Sequence, residues 1–187
     1  MAQGWTGAIL AGGQSRRMGQ DKALMDHQGR SLLDRAMDLL EPLVSELLVI
    51  GDPVKHGHVG PFVIADDRPG HGPLGGLATA LRYASNDHLL LVACDLPALT
   101  PRALQHVMIE LGNATDAVVP KHDGLIEPLS AVYHRRCLPV FKRCVDDGVL
   151  KMSDALALVR TTYLEMTPGT DGWPKDLFRN LNSPSDL

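Results

Sequence analysis

Apolar positions in this chain come in two rhythms. Short unbroken runs at 8–11 (AILA), 47–50 (LLVI), 62–65 (FVIA), 89–94 (LLLVAC, a strand that ends in Asp95) and 117–120 (AVVP) alternate with longer stretches in which apolar residues recur every three or four positions. The short runs are too brief for an amphipathic or spanning helix and predict strands buried on both faces. In 31–43, Leu32, Leu33, Ala36, Leu39, Leu40 and Leu43 share one helical face, with Asp34, Arg35, Asp38 and Glu41 opposite. That spacing predicts a surface helix packed on a sheet. Further helices are predicted over 74–84, 101–111, 138–145 and 151–159, and a further strand over 127–134. Residues 121–125 read as a polar turn able to form a lid. Asn180 and Asn182, two apart, read as one face of a closing strand. Strand, helix and strand in succession is a parallel crossover, so the fold class is α/β with a mostly parallel sheet.

Composition narrows the class. A chain of 187 residues with 44% apolar residues fills one core well and two poorly, so a single domain over 1–187 is expected. Cys94, Cys137 and Cys144 are odd in number and form no CxxC, which argues against a disulfide framework or a structural zinc site and favours reducing cytoplasm. The start MAQGW lacks a basic leader, and no apolar run approaches the ~20 residues that span a bilayer. With a net charge of −4 and 4% aromatic residues, a nucleic-acid surface with stacking platforms is not expected.

Against that acidic background, 12–22 carries Arg16, Arg17 and Lys22 and one anion, Asp21. Gly12 and Gly13 lack a Cβ, so their amides can approach phosphate oxygens, and the cations supply fixed charge for a polyphosphate. The spacing is neither that of a Walker loop nor that of a dinucleotide turn. The plain alternative is a glycine-rich strand-to-helix turn with a solvated basic rim. Thirteen of the eighteen glycines precede Leu77, which places close backbone approach, and hence the nucleotide, in the first part of the chain.

A second glycine-rich loop, 69–77, opens the helix at 74–84. Gly75 and Gly76 there serve either a phosphate, sugar or second substrate, or simply helix–strand packing. His71 in the same loop is either a proton donor or a loop histidine. Asp95 ends the most apolar strand, and in doubly wound sheets ligands sit beyond the carboxyl ends of strands. A carboxylate aimed at a triphosphate makes sense with a divalent cation between them. Its alternative is a turn or capping role near Pro101, although Thr100 already suits the cap position.

LAGGQSRRMGQDK resembles the LAGGxSxRMGxDK signature of molybdenum cofactor guanylyltransferases, within the larger group of nucleotidyltransferases of the nucleotide-diphospho-sugar transferase type. Four further segments are similar to that family: GPLGG to its GPLxG, CDLP to its CDxP, Glu127-Pro128-Leu129 to a segment near the acceptor side, and NLNSPSD to its NxNTPxD, with serine for threonine and one residue altered before the aspartate. Together they run from Gly7 to Asp186. The resemblance implies a three-layer α/β/α, Rossmann-like fold and the transfer of GMP from GTP to molybdopterin (molybdenum cofactor) with release of pyrophosphate. It implies Mg²⁺ at Asp95. An asparagine carbonyl is an adequate neutral ligand, which makes Asn182 the candidate second one. Arg16, Lys22 and Asp95 are then the candidate catalytic residues. Leu10, Ala11, Gly12, Gly13, Arg17, Lys22, Asp66 and Asp95 contact the nucleotide, and Gly75, Gly76, Glu127 and Asn182 face the acceptor. Molybdoenzymes and their chaperones are candidate partners.

Cytidylyl relatives carry LAAG where this chain has Leu10-Ala11-Gly12-Gly13. The missing methyl at Gly12 would admit a purine edge, with the Leu10 and Ala11 carbonyls or Asp66 accepting from guanine. Some family members contact the nucleotide with an asparagine at the end of the second strand, where this chain has Ile50, Gly51 and Asp52. A molybdopterin cytidylyltransferase, a sugar-phosphate nucleotidyltransferase and a nucleotide-binding regulator are the competing readings.

Overall fold

In the computed structural model, which describes residues 4–12, 21–60 and 62–181, the first apolar run becomes β1 (Trp5–Leu10). A 3-10 turn (Lys22–Leu24) and a small hairpin, β2 (Asp26–His27) with β3 (Arg30–Ser31), lead into α1 (Leu32–Leu40). Then come β4 (Glu46–Ile50), α2 (Pro53–His56), β5 (Val63–Ile64), α3 (Gly72–Tyr83), β6 (His88–Ala93) and α4 (Pro101–Ile109). The second half adds β7 (Ala117–His122), β8 (Leu125–Ile126), β9 (Ser130–His134), α5 (Leu138–Asp146), α6 (Met152–Leu156) and β10 (Thr161–Glu165).

The main sheet runs β10-β7-β9-β6-β1-β4-β5, with β8 paired to β7. β1 is parallel to both β4 and β6, β4 to β5, and β7 to β10, while β9 is antiparallel to β6 and β7. The sheet is therefore mixed and mostly parallel, as the crossover pattern predicts. Side chains alternate between its faces: Leu90 and Val92 of β6 join α1 and α4 in one core, and Leu89 and Leu91 join α3, α5 and α6 in the other. Two buried layers on opposite faces of one sheet make the α/β/α arrangement. No helix among the described residues is long and apolar enough to cross a membrane.

Local chemistry sets the helix starts. Ser31 Oγ accepts from Asp34 N–H at 3.0 Å and opens α1, and Thr100 accepts from Ala103 N–H at 3.2 Å ahead of Pro101 to open α4. Each such cap is worth ~1 kcal/mol.

Four expectations need correction. Residues 121–125 are a hairpin tip and not a free turn: Lys121 and His122 continue β7, and Asp123 and Gly124, both at positive φ, turn the chain into β8. Two positive-φ residues suit a tight hairpin. Of 127–134 only Ser130–His134 is strand, because a turn closed by Ser130 N–H to Glu127 C=O at 3.2 Å precedes it. The helix expected over 151–159 is short, Met152–Leu156, and the sheet gains β10, whose side chains are half-buried or exposed and so carry little apolar signal. Asn180 lies in irregular chain instead of a strand.

Candidate active site

β6 stops at Ala93, and the chain turns through Cys94 and Asp95 at the carboxyl edge of the sheet. Lys22, 73 residues away, reaches the same point: its Nζ lies 2.7 Å from Asp95 Oδ2. The two side chains are 18% and 21% exposed, so this ion pair is largely withdrawn from water. Lys22 already places one positive charge at the carboxylate. Even so, Asp95 Oδ1 is buried and accepts no hydrogen bond among the described residues. A buried carboxylate oxygen without a donor is unusual and suits a cation or a bound donor.

The capping alternative for Asp95 falls away, since Thr100 caps α4. Asp95 is also held through its backbone, its C=O accepting from Leu181 N–H at 3.0 Å. The closing segment, with Leu177, Phe178 and Leu181 buried in the α1/α4 core, is thereby drawn to the tip of β6. Asn182 follows directly but lies outside the described residues, as do Gly13, Arg16 and Arg17.

Glu127 lies near enough to Asp95 to feel its charge. Its Oε1 is 3.0 Å from His122 Nε2, and the imidazole stacks on Phe178, 5.1 Å between centroids at 12°. Burial raises the Glu127 pKa above its ordinary value and the negative charge of Asp95 pushes the same way, while the His122 hydrogen bond opposes both. His122 escapes a reading of apolar pattern because it terminates a strand in what looks like a polar turn.

The first loop differs from expectation in one respect. Ala11 N–H and Gly12 N–H both donate to Ile50 C=O, at 3.0 and 3.2 Å. The Gly12 amide is therefore committed to the end of β4 and does not face outward for a phosphate. Among the described residues the Gly12 Cα side is open: a Cβ there would meet Ile50 O at 3.7 Å and Gly51 Cα at 3.9 Å. Leu10 C=O accepts a long bond, 3.5 Å, from Cys94 N–H. Asp66, beyond β5 at the same sheet edge, is oriented by two donors on Oδ1, the Thr79 hydroxyl at 2.8 Å and Arg68 N–H at 2.9 Å.

Gly75 and Gly76 are buried in α3. A Cβ on Gly75 would lie 3.1 Å from Arg68 O, and one on Gly76 would lie 3.0 Å from Leu10 Cδ2. Packing of α3 on β1 and on the preceding loop accounts for both glycines. His71 sits in that loop with Nδ1 3.2 Å from Arg68 O. Cys94 offers no nucleophile: burial, reinforced by Asp95, pushes its thiol up to about 12. No group of three His, Cys, Asp or Glu side chains among the described residues is arranged to hold a metal. The fit is instead to an ion held by one carboxylate that keeps most of its other positions for water and substrate phosphate, which is how Mg²⁺ is commonly bound.

Residues 7–161 match the MobA-like NTP transferase domain family. A probable molybdenum cofactor guanylyltransferase from Pelotomaculum thermopropionicum is 36% identical over 97% of this chain and 89% of its own length. The chain belongs to the molybdenum cofactor guanylyltransferase family.

A second such relative, from Bacillus subtilis, is 32% identical over 96% of this chain and 90% of its own. The crystal structure of molybdopterin-guanine dinucleotide biosynthesis protein A from Archaeoglobus fulgidus superposes with a TM-score of 0.81 at 26% identity, covering 97% and 94% of the two chains. The chain is thus a nucleotidyltransferase of the nucleotide-diphospho-sugar transferase fold. In a guanylyltransferase of this family, the Lys22–Asp95 pair stands at the sheet edge where parallel α/β proteins bind their ligands.

Proposed function

We propose that this chain transfers GMP from GTP to the terminal phosphate of molybdopterin, giving the guanine dinucleotide cofactor and pyrophosphate, and that 1–187 work as one nucleotidyltransferase domain in the cytoplasm. The observation that carries the reading is the Lys22–Asp95 pair at the tip of β6, with Asp95 Oδ1 buried and without a donor among the described residues. The main obstacle in nucleotidyl transfer is charge: the acceptor phosphate must approach a triphosphate, and the leaving pyrophosphate gains charge. Two unit charges 4 Å apart repel by about 4 kcal/mol at an effective dielectric near 20. Lys22, largely withdrawn from solvent, stands at the sheet edge before substrate arrives and offsets such repulsion.

Arg16 and Arg17 add charge from the same loop, with Arg16 and Lys22 on the departing pyrophosphate and Arg17 on the nucleotide. Gly13 gives the phosphates room. A divalent cation, Mg²⁺ in our reading, would sit on Asp95 with Asn182 as second ligand and would supply Lewis-acid neutralisation of the phosphate oxygens. Leu10, Ala11, Gly12 and Asp66 surround guanine. The acceptor lies on the Glu127 side, with Asn182 and the start of α3 near Gly75 and Gly76 around it. A general base is unnecessary for an ionised phosphate nucleophile, which leaves His122 free to remain bonded to Glu127.

Pyrophosphate release measured over GTP, CTP, ATP and UTP, with molybdopterin and Mg²⁺, tests the reading. GTP should be used preferentially, and Asp95→Asn should lower kcat by about three orders of magnitude. Equal use of CTP would overturn the base assignment. An unaffected Asp95→Asn enzyme would overturn the site.

A further inference from the structure

α2 carries a histidine that the proposed chemistry does not use. His56 is 1% exposed, yet both ring nitrogens are bonded. Asp52 N–H donates to Nδ1 at 3.1 Å, and Nε2 lies 3.2 Å from Asp21 Oδ2. A backbone N–H can only donate, so Nδ1 is the bare nitrogen; the proton is on Nε2 and is donated to the carboxylate. Space has been cleared for the ring: a Cβ on Gly51 would lie 2.4 Å from Nδ1.

Asp21 is the hinge of this connection. Its Oδ1 accepts from Ala23 N–H at 3.1 Å and caps the 3-10 turn that carries Lys22, while its C=O accepts from Leu24 N–H at 3.1 Å. Lys22 then reaches Asp95 at 2.7 Å. The Lys55 ammonium is also 3.9 Å from Asp21 Oδ2 but is 58% exposed, so it holds the carboxylate weakly.

We infer that His56 is a positioning residue: through Asp21 it fixes the turn from which Lys22 meets Asp95, and so sets where the lysine's charge stands during transfer. The inference rests on the guanylyltransferase reading for its effect on turnover, and on geometry alone for its effect on Lys22. A residue acting through a cap on a short turn matters because a displacement of about 1 Å at a charge-stabilising group can lower the rate ~100-fold.

Two amide variants separate positioning from packing. The amide of His56→Asn falls near Nδ1 and can keep the Asp52 bond while losing Asp21. That of His56→Gln falls near Nε2 and can keep the Asp21 bond while losing Asp52. Both underfill the site and should lower Tm similarly. The Asn variant should lose about 10- to 100-fold in kcat with KM for GTP changed less than about threefold, and the Gln variant should stay within about threefold of wild type. The ¹³Cε resonance of Lys22, assigned with Lys22→Arg, should shift in the Asn variant and hold in the Gln variant without any substrate present. Equal kcat in the two variants, or losses that track Tm, would overturn the positioning role. Absence of GTP turnover in the wild type would instead overturn the function, and the lysine resonance would still decide the geometry.

Discussion

Gly12 separates what the protein needs from what its ligand needs. Its φ is outside the left-handed region, and an added methyl would meet its nearest neighbours, Ile50 O and Gly51 Cα, at 3.7 and 3.9 Å, ordinary contact distances. Gly12→Ala therefore meets no clash among the described residues of the free chain. By restricting the unfolded state it should leave stability unchanged or raise it by about 0.4–1 kcal/mol, about 1–4 °C in Tm. The nucleotide is affected in the opposite sense. If the guanine edge passes over this Cα, one methyl in its path should weaken transition-state binding by about 1–3 kcal/mol, or about 10- to 200-fold in kcat/KM for GTP. CTP, with a smaller base, should lose less, so the GTP preference narrows. Thermal unfolding without ligand and steady-state pyrophosphate release with each triphosphate give the two numbers. Undiminished GTP use would refute the placement of guanine over Gly12, and a destabilised free chain would refute the open packing at this position.

Two other substitutions test the charge network. Asp116 accepts from Arg136 Nε, from Arg160 Nε and Nη2 at 2.9 and 2.8 Å, and from Arg160 N–H at 2.9 Å, and these donors hold its pKa far below the usual carboxylate range. Its contribution is complete above the unfolded value near 3.8 and is lost as pH falls through the folded one. Asp116→Asn should lower stability by about 2–3 kcal/mol at pH 7, since both arginines can regain water, and by less in acid, as chemical denaturation at the two pH values will show. Glu127 is opposite in sign: its folded pKa is raised, so it opposes folding at pH above that value and ceases to do so as pH falls towards 4.5. Glu127→Gln should be equally or more stable than wild type at pH 7.5, with no gain near pH 4, and should raise KM for molybdopterin while leaving that for GTP alone.

The chain order and the central strands were readable because β1, β4 and β6 are buried on both faces and so read as unbroken apolar runs. Asp95 was readable for the same reason, as a carboxylate where the most apolar run stops. β10 was not, because an edge strand with half-exposed threonines and Tyr163 buries too little to leave a pattern. Pairing across distance was also invisible: nothing in the spacing ties Lys22 to Asp95, His56 to Asp21 or Phe178 to His122. The amide of Gly12 is not legible in the sequence, because glycine composition says where backbone can approach a ligand and not whether its N–H is already taken, here by Ile50 C=O.

The carboxylate at the β6 tip is positioned by backbone on both sides of its residue. Cys94 N–H donates to Leu10 C=O, and Leu181 N–H donates to Asp95 C=O, so neither bond uses the side chain. The segment that supplies Leu181 is itself anchored, with Leu177, Phe178 and Leu181 buried beside α1 and α4 and Phe178 stacked on His122, the partner of Glu127. Asparagine at 95 would therefore occupy the same place as aspartate, with an amide in front of Lys22 where a charge had been. The backbone clamp is what lets Asp95→Asn report on charge alone: a loss of turnover with the fold intact can be assigned to the missing negative charge at the sheet edge, and not to a displaced strand end.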